Sequence, residues 1–163
     1  MIERIYNIIL WRIFSFLRGT TKLLNGINPF TWLLQIPFIK KFIIKRGGSI
    51  EQIEAAVDHV TNDPVIGISI WSADRLMMLS LFFWLLNCNM PLFNYIGNGS
   101  IVLIVWIIDV LLVFLAQWCF AWRKDKYQKY FKTFEKQPLS WKIIWGIISF
   151  LFVITPIILI FIG

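Results

Sequence analysis

Asp109 is the side chain with the most chemical potential in this sequence, because it lies in the run 101–122 among almost entirely aliphatic and aromatic neighbours. A carboxylate surrounded by hydrocarbon is costly unless it is protonated, paired or in water. Gln117 follows eight residues later and shares its helical face, with Ala116 beside it. Such a face turns toward protein or a watery path rather than lipid. Three kinds of chemistry fit: a hydrogen bond to a neighbouring helix or subunit, ion conduction or proton coupling, and a charge pair with a basic residue of a partner. The middles of the apolar runs hold no Lys or Arg to pair with Asp109 at its own depth. Asn87 and Asn89 stand near the end of the preceding apolar run, just before Pro91. An antiparallel arrangement would bring them to the end of the next run that is nearer Asp109, so a cluster of Asn87, Asn89 and Asp109 is feasible.

Positioning these residues requires long apolar elements, and the sequence supplies three, at 76–95, 101–122 and 143–162. Each has about 20 residues, which at about 1.5 Å per residue matches a hydrocarbon core near 30 Å. Helix is the form expected, since an isolated apolar segment in lipid must satisfy its own backbone. The chain is 58% hydrophobic and only 15% charged, too apolar for a water-soluble domain of 163 residues. The fold class expected is all-α: an integral membrane bundle of three transmembrane helices with N-terminal amphipathic interfacial helices.

The net charge of +7 is unevenly distributed. Residues 1–46 hold eight Lys and Arg against one acid, Glu3, and residues 123–142 hold seven against two acids. The stretch 47–75 carries five carboxylates and Arg75 as its single Lys or Arg. Blocks of basic residues beside apolar runs belong to cytoplasmic flanks and anionic headgroups, so nucleic acid is not an expected partner. The turn at 94–100 is uncharged and the loop at 123–142 is Lys-rich. Orientation therefore reads as N-terminus and 123–142 loop in the cytoplasm, turn and C-terminus outside, in an inner or plasma membrane.

The chain divides into a basic interfacial region at 1–46, an acidic cytoplasmic helix and linker at 47–75, and the spanning region at 76–163. On a helical wheel Glu3, Arg4, Asn7, Arg12, Ser15 and Arg18 gather within about half a turn, opposite Ile2, Ile5, Tyr6, Ile9, Ile13, Phe16 and Leu17. This pattern describes a helix lying in the membrane interface and ending at Gly19, with packing against the spans of its own or a neighbouring subunit as the alternative. The apolar piece at 28–34 is too short to span and reads as interfacial or re-entrant, with Pro37 interrupting it. Arg4, Arg12, Arg18, Lys40, Lys41, Lys45 and Arg46 are the expected headgroup contacts.

After Gly47-Gly48, Ser49 and Gln52 form the pattern of a capping box opening a short amphipathic helix, which Asn62-Asp63-Pro64 stops. Its apolar face could pack on a stripe of Tyr127, Tyr130, Phe131 and Phe134, on a helix continuing from the second span to Pro138. In the third run Gly146, Ser149, Val153 and Pro156 recur at three and four, marking a close-packing seam with a possible kink at Pro156.

Reaction machinery is not evident. The sequence has no phosphate-binding glycine loop, no zinc-ligand spacing and one histidine, His59, among surface-type residues. Cys88 and Cys119 sit in apolar runs as small hydrophobes, and no cleavable leader is expected. No cofactor or metal is called for. The expected role is a non-enzymatic subunit of a larger membrane assembly for transport, secretion, signalling or structure, in contact with anionic lipids and with other subunits or further copies. The alternatives are a homo-oligomeric pore with Asp109 facing the path and, last, a membrane-embedded enzyme.

Overall fold

The computed structural model describes residues 1–25, 33–96 and 99–162. Among these the protein is all-α, and its helices include α1 (Ile2–Asn25), α2 (Pro37–Lys45), α3 (Ile50–Asn62), α4 (Ile68–Ile96), α5 (Gly99–Gln117), α6 (Lys126–Phe134) and α7 (Leu139–Ile162). Three of the helical stretches are long and apolar enough to cross a membrane: Ile68–Phe93, Gly99–Phe134 and Leu139–Ile162. The chain forms two compact units, one of residues 1–13 and 73–163, the other of residues 14–72.

In the larger unit the helix boundaries depart from the apolar runs for identifiable reasons. Helix α4 begins at Ile68, so Asp74 and Arg75 lie within it rather than ahead of it. Pro91 does not end it; the helix continues to Ile96. The second span does not run as one helix to Pro138. Beyond Gln117 the backbone widens into a π-helical turn at Trp118–Trp122, tightens into a 3-10 turn at Arg123–Asp125, and restarts as α6. The break comes at Lys124 and Asp125, whose φ angles are +59° and +50°. L-residues enter that region at a cost of about 1–2 kcal/mol each, so the surrounding contacts hold the break in place.

Residues 6–11 are buried without interruption, and so are Ile13 and Phe14. Over residues 6–11, about one and a half turns, the helix is covered on every side. Ring contacts show what covers its first half: Tyr6 meets Phe120 at 5.5 Å, and Trp11 meets Phe134 at 6.0 Å and Trp141 at 6.2 Å. Glu3 reaches Lys126 and Tyr130. The start of α1 and α6 therefore run side by side in the same direction, from the end of α5 to the start of α7. The Tyr127, Phe131 and Phe134 stripe is buried, and its ring contacts include Trp122, Trp11 and Trp141 of this unit.

In the smaller unit, α1 does not stop at Gly19 but continues to Asn25. Thr20 and Thr21 donate back to Leu17 O at 2.8 and 2.7 Å, tying their side chains to the helix. Pro37 opens α2 at a position where its missing N–H costs nothing. Gly47, at φ +77°, closes it, with Gly47 N–H on Ile44 O and Gly48 N–H on Ile43 O. Ser49 precedes α3 in extended conformation, but its side chain makes no capping bond, so the expected capping box is not formed. At the other end Asp63 accepts the N–H groups of Val65 and Ile66 at 2.6 and 3.1 Å, turning the chain toward α4. These bonds hold the Asp63 carboxyl below its usual range, with smaller help from His59 and Arg18. The apolar piece at Pro29–Trp32 and the turn residues Gly97 and Asn98 lie outside the described residues.

Candidate functional site: the polar fasteners between helices

Two groups of polar contacts organise the larger unit. The first lies deep in the spans. Asp109 is 3% exposed, and its Oδ2 accepts a 2.8 Å hydrogen bond from Asn89 Nδ2. The bond joins α5 to α4 within one chain. Asn87 does not join that pair. Its Nδ2 donates to Phe83 O of its own helix at 2.7 Å and to Pro156 O of α7 at 2.9 Å.

Pro156 accounts for the contact next to it. Proline has no N–H, so the carbonyl four residues earlier, Phe152 O, loses its usual helical donor. Trp84 of α4 supplies a replacement, its Nε1–H donating to Phe152 O at 3.0 Å. Sequence reading marked Pro156 but not Trp84. The signal was available, because a proline inside an apolar helix calls for a donor from a neighbour, and Trp84 lies one turn from Asn87. Ser149 of the expected seam is buried and donates to its own Trp145 O at 2.7 Å.

The second group gathers where α5 ends. The last carbonyls of a helix have no intrahelical donors. Lys126 Nζ takes Cys119 O at 3.2 Å, and Asn7 Nδ2 takes Phe120 O at 2.8 Å. The ammonium also suits the negative end of the helix dipole. Gln117, buried like Asp109, accepts from the Tyr6 hydroxyl and not from a partner shared with Asp109. Burial, and next the nearby Asp74 carboxylate, push the Tyr6 phenol well above its usual range, so it serves as a donor. Asp74 accepts the Trp122 indole N–H at 2.9 Å.

Glu3 closes this end. Its Oε2 lies 2.7 Å from Lys126 Nζ, and Tyr130 OH donates to Oε1 at 3.2 Å. The Lys126 hydrogen bond, outweighing partial desolvation, holds the Glu3 carboxyl below its ordinary value. Asn7 was grouped with the polar arc of a surface helix, yet it is fully buried. Its oxygen and the Gln117 amide nitrogen are enclosed with no hydrogen-bond partner among the described residues.

The basic residues expected at headgroups fall into two sets. Arg4, Lys40, Lys41, Lys45 and Arg46 are exposed, with Arg46 over the Phe42 ring at 4.4 Å. Arg12 and Arg18 are partly covered. Arg12 turns toward α7: a Cβ built on Gly146 would stand 2.7 Å from its Nη2. Its guanidinium lies 5.3 Å from the Trp11 ring, and burial lowers its affinity for the proton. Arg12 therefore acts as a packing partner of the Gly146 seam, a place that glycine leaves open.

Among the described residues no three His, Cys, Asp or Glu side chains converge where a metal could be held. The arrangement is a set of donors and acceptors matched across helices, whose chemistry is attachment. No family model, curated protein or solved structure matches the chain.

Proposed function

We propose that this chain is a non-enzymatic subunit of a larger assembly in an inner or plasma membrane. The single observation that carries the reading is where the span polar groups are used. Asn89 with Asp109, Asn87 with Pro156 O and Trp84 with Phe152 O all bind one helix of the chain to another. A bundle closed in this way leaves an outer surface for lipid and for other subunits. The outer surface of α5 fits that use, since Leu103, Ile107, Leu111 and Phe114 are all exposed and apolar. In this reading the N-terminus and the 123–142 loop face the cytoplasm and the C-terminus faces outward, as the two basic blocks favour.

Reconstitution tests the role. Purified protein in liposomes should be silent to cations. Chemical cross-linking in native membranes should join it, through α5, to a distinct membrane protein or to another copy. Cation flux whose selectivity changes with Asp109→Asn would replace the scaffold with the pore reading. Orientation is tested on a variant lacking Cys88 and Cys119: single cysteines in 94–100 should react from outside, and those in 124–136 only after permeabilisation.

A further inference from the structure

A groove of about 280 Å³ runs along the outside of the larger unit between α4 and α5. Val113, 4% exposed, forms its floor, and Leu79, Val110 and Phe114, each more than 40% exposed, form open walls. Phe82 closes one end and Arg75 stands at the other. From Arg75 to Phe82 is seven residues, roughly 10 Å of helix. The lining is apolar except for Arg75.

We propose that this groove binds one acyl chain of an anionic phospholipid, with the lipid phosphate on Arg75. Three observations lead to that occupant. Arg75 is exposed and forms no ion pair among the described residues, while the adjoining Asp74 is turned to Trp122. The contact between Asp74 and Trp122 also sets Arg75 at the same end of the bundle as exposed Arg123 and Lys124, where net positive charge meets the end of the spans. The shape suits an alkyl chain: the furrow is open along its walls and roughly 10 Å long, a path that a flexible tail can follow. A cation at the mouth of an apolar furrow between two spans is complementary to a phosphate with a hydrocarbon tail. The claim rests on α4 and α5 crossing a bilayer, which resistance of the chain to carbonate extraction tests separately.

The experiment is native mass spectrometry of the full chain after equilibration with equal amounts of phosphatidylglycerol and phosphatidylcholine. The wild-type chain should retain phosphatidylglycerol about fivefold over phosphatidylcholine, the value of one basic contact at a membrane surface. Arg75→Gln should bring the two lipids near parity, and Arg75→Lys should keep the preference. Val110→Trp, which fills the furrow with Arg75 intact, should reduce retention of both lipids. Arg123→Gln should leave the preference in place. Equal retention by wild type, a preference that survives Arg75→Gln, full retention by Val110→Trp, or an equal loss with Arg123→Gln would each overturn the proposal. A chain that resists carbonate extraction yet shows one of these results loses the lipid site and keeps its membrane assignment.

Discussion

At the scale of single residues, a few donor–acceptor pairs join the helices at defined points, and each can be weighed separately. The Asn89–Asp109 bond is measurable as a coupling energy. A cycle of Asn89→Ala, Asp109→Ala and the double variant should give about 0.6–1.7 kcal/mol in a detergent melt, the range for polar pairs between membrane helices. Additive losses would show that the pair contributes no bond of its own. Glu3 makes a pH-dependent contribution whose sign follows from its lowered pKa. Relative to the unfolded carboxyl near 4.5, the folded form binds its proton more weakly. The stabilisation is therefore fully present above about 4.5 and fades as pH falls through the lower folded value. The gap in melting temperature between wild type and Glu3→Gln should be widest at neutral pH and narrow below that point. A gap independent of pH would assign the Glu3 effect to packing.

At the scale of elements, irregular backbone and the side chains that accommodate it come as matched sets. Pro156 orphans Phe152 O and Trp84 caps it. Trp84→Phe should then cost roughly 1 kcal/mol, and clearly less in a Pro156→Ala background, where the restored N–H takes the same carbonyl. Equal costs in both backgrounds would mean that the indole N–H is not what matters there. The break between α5 and α6 is the second such set. Lys124 sits at φ +59°, so Lys124→Gly should raise the melting temperature by relieving about 1–2 kcal/mol of strain, less the roughly 0.5–1 kcal/mol of extra chain entropy that glycine loses. A decrease would indicate that the Lys124 side chain contributes more than the strain removes. The proline device was half legible in the sequence, because a proline announces a missing donor but does not say which neighbour replaces it. The break at Lys124 was not legible, since Asp125 tolerates left-handed backbone but lysine has no preference for it. Beyond the break, Tyr127, Phe131 and Phe134 are buried.

At the scale of the whole molecule, the N-terminal thirteen residues form part of the core of the larger unit. Leu10, Trp11 and Ile13 are buried, and Trp11 touches Phe134 and Trp141. Deleting residues 1–13 should therefore expose the aromatic stripe of α6 and produce a chain that aggregates on size-exclusion chromatography in mild detergent. A monodisperse truncation with an unchanged melting temperature would show that α1 is an appendage. The wheel of residues 1–18 scores each residue's preference for water or hydrocarbon separately, so it does not register which polar side chains meet other helices. Asn7 and Arg12 are polar, but their polarity is directed at Phe120 O and at the gap over Gly146, so the polar arc became a second packing face.

The sequence by itself determined the all-α class and the three helices long enough to cross a membrane, because length and apolarity are demanded residue by residue by a hydrocarbon slab. It also determined the stop of α3 at Asn62 and the turn at Gly47, where local backbone chemistry decides. Only the tertiary structure decided that Asp109 bonds Asn89 while Asn87 goes to Pro156, that residues 6–11 of α1 are buried on every side, and that α6 restarts after a break. Those outcomes depend on which donors and acceptors reach one another when several helices pack at once, and no single segment carries that information.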